Sequence, residues 1–301
     1  MVVQLVHRRH DVVNALLEGL SDSFTYEQLS MAVKHVRGRI GDVKARRTRI
    51  RRLLWPARAT YELHFPANTL PSETVIFPAT EYESQGMEDL RLVRFVDDDE
   101  VTYYGTYTAV DGRRVHPMLL ETRDFLSFHI CPLTGRYARN KGMALFPRKV
   151  NGQYLMVSRH DGENLFLLRS NSPHCWDAAT KLQSPTEPWE LALIGNCGSP
   201  IETHMGWLLL THGVGPMRRY CIGASLLDRD DPSRVIGRLR QPLIVPADKE
   251  REGYVPNVVY SCGSMVHKGR LIVPYAISDS RTTFATVDLK ALIDCMLKPR
   301  D

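Results

Sequence analysis

Apolar residues change their spacing partway along this chain. In the first sixty positions Val12, Val13, Leu16, Leu17 and Leu20 recur at helical intervals, and Leu29, Val33, Val36 and Ile40 do so again. Thr25 followed by Gln28 has the form of a capping box, in which side-chain oxygens satisfy the free N–H groups that open a helix. Two amphipathic helices are expected there. From Tyr61 to Val287 the pattern is different: short β-branched and aromatic runs separated by Gly, Pro, Asn and Asp, which predicts strands. Candidate strands cover 75–77, 90–96, 101–109, 125–130, 154–158, 165–168, 207–211, 221–227, 257–261, 271–275 and 283–287. Leu289 to Met296 (LKALIDCM) reads as a short closing helix. No Pro/Ser-rich linker divides the strands. We therefore expect a helical, basic segment over residues 1–58 and an all-β domain over 59–301 that includes the closing helix.

Part of this pattern repeats. Gly206-Trp207-Leu208-Leu209-Leu210-Thr211-His212-Gly213 is echoed by VTYYGTYTAVDG from Val101, GQYLMVSRHDG from Gly152 and GRLIVPYAISD from Gly269. Each copy is a turn, a short apolar strand and then polar groups delivered at the strand's end. A recurrence of roughly 50 to 60 residues is the interval at which four-stranded sheets repeat in a β-propeller.

Composition narrows the classes without choosing among them. The 301 residues are 43% hydrophobic and 24% charged, ordinary for a globular protein, and the net charge of +5 is concentrated near the start. Lys44, Arg46, Arg47, Arg49, Arg51 and Arg52 would suit nucleic acid, but no aromatic residues interleave with them, and a solvated helix face is the simpler reading. Six cysteines lie far apart with no C-x-x-C pair and no zinc-finger spacing, so reduced thiols and no metal are expected. The N-terminus lacks the pattern of a secretory signal, and no apolar run approaches the roughly 20 residues that span a bilayer. The expected location is the cytoplasm.

Candidate chemistry begins with carboxylates, the usual tools for cleaving glycosidic bonds. Glu88 and Asp89 open the run GMEDLRLVRF, in which Asp89 and Arg91 stand two apart and would share one face of a strand. A carboxylate beside a guanidinium is favoured in its ionised form, so such an acid would deliver a proton through a relay. A structural ion pair is the alternative. Further on, Lys141, Arg148, Lys149 and Arg159 cluster near strand ends and could hold phosphate, Arg through its two-pronged fork and Lys as a point charge. A set of surface salt bridges is again the alternative. His212 ends the most apolar strand, and Gly213 after it could admit a ligand closely. Walker glycines, GxSxG and HExxH are absent.

Several of these motifs, taken in order, resemble glycoside hydrolase family 130: Gly86-Met87-Glu88-Asp89-Leu90-Arg91, Tyr107 to Gly112, Leu145 to Lys149, Gly195 to Thr203, Gly206 to Val214, Gly223 to Ile236, and Gly253 to Val259 with Cys262-Gly263. The resemblance covers about Ser72 to Met296. It implies a five-bladed β-propeller whose central funnel binds a β-mannoside, with inverting phosphorolysis to α-mannose 1-phosphate. Asp89 would be the acid, acting through a sugar hydroxyl. Lys141, Arg159 and His212 would hold phosphate, and Arg91, Asp111 and Glu202 would contact the sugar. Inorganic phosphate is then a co-substrate, and no other cofactor is implied. This chain has Leu90 where the family has Pro or Ala, and no counterpart of the family's first blade precedes Tyr61, so an incomplete ring is expected. The open edges of such a ring leave room for a homo-oligomer. Two other outcomes stay open at this point: a β-mannoside hydrolase using water, and an inactive carbohydrate-binding propeller. Neither a nucleic acid nor a membrane partner is expected.

Overall fold

Among the described residues four antiparallel sheets follow one another along the chain. In the computed structural model residues 20–21, 24–36, 54–247 and 253–298 are described. The first sheet runs from β2 (Gly86–Asp97) through β3 (Glu100–Val110) and β4 (Val115–Thr122) to β5 (Ser127–Pro132), with β1 (Tyr61–His64) added on its outer edge. The second comprises β6 (Ala144–Leu145), β7 (Tyr154–Ser158), β8 (Leu165–Ser170) and β9 (Ala178–Gln183). In the third, β10 (Leu193–Asn196) and β11 (Ile201–Thr203) share one edge of β12 (Gly206–Val214), which leads to β13 (Tyr220–Leu227) and β14 (Val235–Arg238). The fourth repeats that device: β15 (Val259–Tyr260) and β16 (Met265–His267) share one edge of β17 (Arg270–Ile277), and β18 (Arg281–Asp288) lies on the other.

The four sequence echoes are the second strands of these four sheets: β3, β7, β12 and β17. The repeat was therefore legible, and it counts four. The five blades implied by resemblance are not found: the described residues form four. Residues 75–77, expected as a strand, lie in irregular chain between Pro71 and Pro78, with Val75 and Phe77 53% and 73% exposed. Their β-branched and aromatic composition had no neighbouring strand to pair with. The capping box is realised: Gln28 Oε1 accepts from the Thr25 N–H at 2.7 Å, and Thr25 Oγ1 accepts from the Gln28 N–H at 3.2 Å, opening the helix Tyr26–Val36. The helix expected around Val12–Leu17 and the basic run Lys44–Arg52 lie outside the described residues.

Apolar seams join consecutive sheets. Val93, Phe95 and Leu119 of the first meet Met156, Leu168 and Trp176 of the second. Phe146, Val157 and Leu167 of the second meet Ile194, Trp207 and Leu209 of the third. Leu210, Ile222 and Leu226 of the third meet Leu271 and Val273 of the fourth, sealed by Leu292 and Ile293 of the closing helix Leu289–Met296. A further cluster covers the far face of the first sheet, where Tyr107, Met118, Leu120 and Ile130 pack on Ala59 and Tyr82. Among the described residues no apolar cluster joins the fourth sheet to the first.

A buried glutamate sets the entry to two inner strands. Glu83 accepts from the N–H groups of Ala79 and Thr80 and from the hydroxyls of Tyr61 and Tyr107 just before β2. Glu190 accepts from the N–H groups of Thr186 and Glu187 and pairs with Arg238 just before β10. Each glutamate satisfies turn donors that would otherwise be buried without partners.

The seams predict a measurable contrast. Trp176 is fully buried and donates its indole N–H to Pro173 O at 2.9 Å, so Trp176→Ala is expected to lower the free energy of unfolding by about 3–5 kcal/mol. Phe284→Ala, at a side chain 69% exposed, should change it by less than about 0.5 kcal/mol. Urea denaturation followed by circular dichroism distinguishes the two, and equal losses would contradict this placement of the core.

Candidate active site

Polar groups from the first, third and fourth sheets converge on one guanidinium, and the second sheet joins them through Asn196. Arg91 is 2% exposed on β2. Its Nε donates to Asn196 Oδ1 of the third sheet at 3.1 Å, its Nη1 to the Asp89 carbonyl at 2.8 Å, and its Nη2 to the Tyr260 hydroxyl of the fourth sheet at 2.6 Å. Asn196 carries the link onward, donating Nδ2–H to the carbonyl of Gly142, at the entry to the second sheet, at 2.6 Å. Its Oδ1 also accepts from the Gly198 N–H at 3.2 Å.

Asp89 and Arg91 do meet, though not by strand alternation. The register slips between Glu88 and Arg91, so that Asp89 and Leu90 together oppose Tyr107, and Asp89 takes a φ of 62°. This β-bulge re-aims the carboxylate. Asp89 Oδ2 lies 3.8 Å from Arg91 Nη2 and accepts from the Tyr260 hydroxyl at 3.1 Å, while the Cys262 thiol is 3.8 Å from Oδ1. Leu90 is accommodated by Gly105, where a Cβ would come within 2.7 Å of Leu90 Cδ1. Burial pushes the Tyr260 phenol well above its ordinary value, with Arg91 opposing, so its O–H stays protonated and donates to Asp89. Burial likewise pushes the Cys262 thiol up to about 12.

His212 is buried and lies directly across from Gly195, over whose Cα the ring rests. A Cβ on Gly195 would fall 2.3 Å from His212 Cε1, so the close approach that a glycine permits occurs there. Gly213, expected to admit a ligand, instead makes room for the ring of Trp189 and the Glu190 side chain. Desolvation, then the positive charges of Arg159 and Arg91, hold His212 well below the ordinary imidazole range. The neutral ring must place its proton on Nδ1, because that atom is 3.1 Å from the Asn196 carbonyl, which can only accept. Nε2 is then an acceptor.

Arg159 belongs to the same centre, through its charge on His212 and through Gly142, where a Cβ would lie 3.6 Å from Arg159 Cβ. Its Nε is buried without a hydrogen-bond partner. Ser199 Oγ, next to Gly198, is likewise buried and unpartnered. Lys141 forms an ion pair with Glu88 at the rim. The other two sequence candidates lie elsewhere. Asp111 caps the β3–β4 turn, accepting from the N–H groups of Arg113 and Arg114 and pairing with His116 at 3.0 Å, which with its other hydrogen bonds holds its carboxyl down to about 2. Glu202 receives the fork of Arg148 at 2.8 and 2.6 Å, opposite Trp207, five residues along β12 from His212 and so about 16 Å away. Asn196 and Tyr260 were missed by sequence reasoning. The signal for both is a polar residue ending an inner strand of an otherwise apolar sheet.

Sheets repeating outward from a shared polar centre define a β-propeller, of which the described residues form four blades. Residues 65–298 match the model of glycoside hydrolase family 130, described as beta-1,4-mannooligosaccharide phosphorylase, and the chain belongs to that family. It is 33% identical over 224 residues to a 1,2-beta-oligomannan phosphorylase of Thermoanaerobacter sp. (strain X514), covering 70% of this chain and 71% of that protein. It is 32% identical over 243 residues to a beta-1,2-mannobiose phosphorylase of Listeria innocua, covering 78% of this chain and 65% of that protein. The solved beta-1,2-mannobiose phosphorylase of Listeria innocua, a complex with beta-1,2-mannobiose, superposes with a TM-score of 0.64 at 28% identity, over 73% of this chain and 63% of that one. The chain thus spans less than two thirds of the Listeria protein's length.

The state of His212 sets a pH dependence. Its folded pKa is depressed, so below the ordinary value of 6.5 the unfolded chain binds a proton that the folded protein does not. Stability from this group is therefore full above that pH and is lost as pH falls through it. Urea midpoints measured from pH 7.5 to 5 should decline less steeply in His212→Asn, whose amide can still donate to Asn196 O but does not titrate. Parallel curves for the two proteins would rule out a buried neutral imidazole.

Proposed function

We propose that this protein cleaves β-mannosides with inorganic phosphate, releasing α-mannose 1-phosphate with inversion. The observation that carries the reading is Asp89, aimed by its bulge into a centre that also holds the buried, unpartnered Nε of Arg159. Family membership and phosphorylase relatives support the reaction class.

In this reading phosphate approaches between Arg159 and the rim. The guanidinium fork of Arg159 suits two phosphate oxygens. Lys141 is held only by a rim ion pair of the kind worth at most about 1 kcal/mol, so phosphate can take over its ammonium from Glu88. His212, accepting at Nε2, can bind only a phosphate P–OH, which both forms of phosphate present near neutral pH supply. A phosphate oxygen attacks the anomeric carbon from the face opposite the leaving group. The C1–O bond to the aglycone breaks as the new C1–O–P bond forms; a sugar hydroxyl gives its proton to the leaving oxygen and takes one from Asp89, which enters the step protonated and regains its proton from solvent before the next turnover. Because phosphate is itself the nucleophile, no second carboxylate is required. Arg91 and Tyr260 fix the orientation of Asp89. Asp111 and Glu202, each held by a partner away from this centre, would contact the sugar only at a subsite distinct from that of Asp89.

The expectation of an incomplete ring comes from the missing counterpart of a first blade, and the junction between the fourth and first sheets supports it. Met265 and Phe284 on one side and Leu90 and Leu92 on the other are exposed, and a fifth sheet seated between them would bury all four.

Incubating the purified protein with β-1,2- or β-1,4-mannobiose should yield mannose 1-phosphate only when phosphate is present. Asp89→Asn is expected to lower kcat/KM by about 10²- to 10⁴-fold, and Arg159→Gln to raise KM for phosphate more than KM for the mannoside. Free mannose released equally with and without phosphate would favour a hydrolase. Calorimetric sugar binding with no product would favour a binding propeller.

A further inference from the structure

On the rim between the first and second sheets, away from the site above, Glu121, Cys131 and His174 bring a carboxylate oxygen, a thiol sulfur and an imidazole nitrogen within 4.8 Å of one another. No sequence spacing announces this set. Glu121 and Cys131 lie on adjacent strands, β4 and β5, and share a face because Cys131 pairs with Leu119, two residues before Glu121. His174 comes from the loop between β8 and β9 of the next sheet.

That loop is fixed by its backbone. Thr134, three residues after Cys131, donates both its N–H and its hydroxyl to the His174 carbonyl at 2.8 and 2.9 Å, and its carbonyl accepts from the Trp176 N–H at 2.8 Å. The His174 Nε2 faces Glu121 Oε1 at 2.6 Å, and Nδ1 faces Ser172 Oγ at 3.4 Å. Before a metal binds, Nε2–H donates to the Glu121 carboxylate, which can only accept; on binding, the proton moves to Nδ1, where Ser172 Oγ accepts it, so that Nε2 turns its lone pair to the metal and the serine provides the outer hydrogen bond that typically orients a ligating histidine.

We infer that Glu121, Cys131 and His174 form a binding site for a single zinc ion, or a similar borderline-soft divalent cation, that clamps the first sheet to the second. One sulfur, one nitrogen and one oxygen are the ligand types zinc accepts, at about 2.0–2.3 Å each in a tetrahedron. Such ligands stand roughly 3.3–3.8 Å apart, so rotations of three side chains suffice to close the site. Cys131 is buried while Glu121 and His174 are partly exposed, so the fourth position faces solvent and takes water. On binding, the Cys131 S–H bond gives way to a sulfur–zinc bond and the proton passes to solvent.

Cobalt(II) reports the ligands directly, because a coordinated thiolate gives a charge-transfer band in the near ultraviolet. The full chain, stripped with a chelator and dialysed, is titrated with Co²⁺ and then Zn²⁺. One equivalent of Co²⁺ is expected to produce the band and one of Zn²⁺ to abolish it. Cys131→Ser should fold by circular dichroism yet lose the band, and His174→Ala, at a partly exposed side chain, should weaken Co²⁺ affinity tenfold or more. Cys175→Ser, at the nearest other thiol in sequence, should leave both unchanged. Absence of the band in the folded wild type overturns the proposal. So does a band that survives Cys131→Ser, that disappears with Cys175→Ser, or that His174→Ala leaves at full affinity. If Cys131→Ser does not fold, the His174 and Cys175 variants decide alone.

Discussion

A desolvated guanidinium organises this fold. Removing a cation from water costs several kcal/mol even after relaxation, and the cost is met only where each remaining N–H finds an acceptor. Arg91 has no water-facing side on which to find them, so its acceptors must come from the protein: the Asp89 carbonyl on its own strand, Asn196 on the third sheet and Tyr260 on the fourth. Asn196, held by the guanidinium through its oxygen, is oriented so that its amide donates to Gly142 at the edge of the second sheet. One buried charge thereby dictates polar side chains at two inner positions, Asn196 and Tyr260, and draws in the backbone carbonyls of Asp89 and, through Asn196, Gly142. The apolar seams between blades are general in character and tolerate volume-conserving exchange, whereas truncating one member of this centre leaves a charge or an amide stranded.

The backbone is bent to serve that centre. The bulge at Asp89 and Leu90 puts a carboxylate where regular pleating would have put it elsewhere, and the positive φ of Asp89 is the mark of it. Gly195 lets an imidazole lie across the neighbouring strand, and Gly198, with a φ of 118°, passes so near Cys262 that a Cβ would fall 2.7 Å from its carbonyl. These are local departures from regular sheet, and they gather at the shared centre, which is the usual place for stored strain with a chemical purpose.

The sequence was informative where structure is local or periodic. Residues 154–158 and Leu289–Met296 coincide with a strand and a helix because their apolar spacing is complete within the segment, and the four echoes became four second strands because each of these has partners on both edges. Short inner strands such as β6 and β15 carry only two paired residues each, too few for any periodic signal. At the site, Asp89, Arg91, Arg159 and His212 were legible as chemistry-bearing residues near strand ends, and they meet. Asp111 and Glu202 had the same appearance, but each is held by a partner far from the centre, His116 within its own hairpin and Arg148 across a blade boundary. Residue type and strand position do not encode which partner a carboxylate finds across sheets. The three residues of the rim cluster, separated by ten and forty-three positions, show the same limit.

The location of the site follows from the way the sheets meet. Three junctions are apolar, and an apolar seam excludes water and ligands alike. The fourth sheet reaches the first through Tyr260 with Arg91 and Asp89 instead, and around that contact Leu90 and Leu92 remain exposed. A junction made by hydrogen bonds can exchange partners without opening a hydrophobic core, since a hydroxyl or a phosphate oxygen can replace one protein acceptor with another. Sugar hydroxyls and phosphate are ligands of that kind. The carboxylate, the phenol and the Arg91 guanidinium thus occur together at the junction that, among the described residues, packing leaves polar, where a polar ligand can enter without displacing apolar side chains.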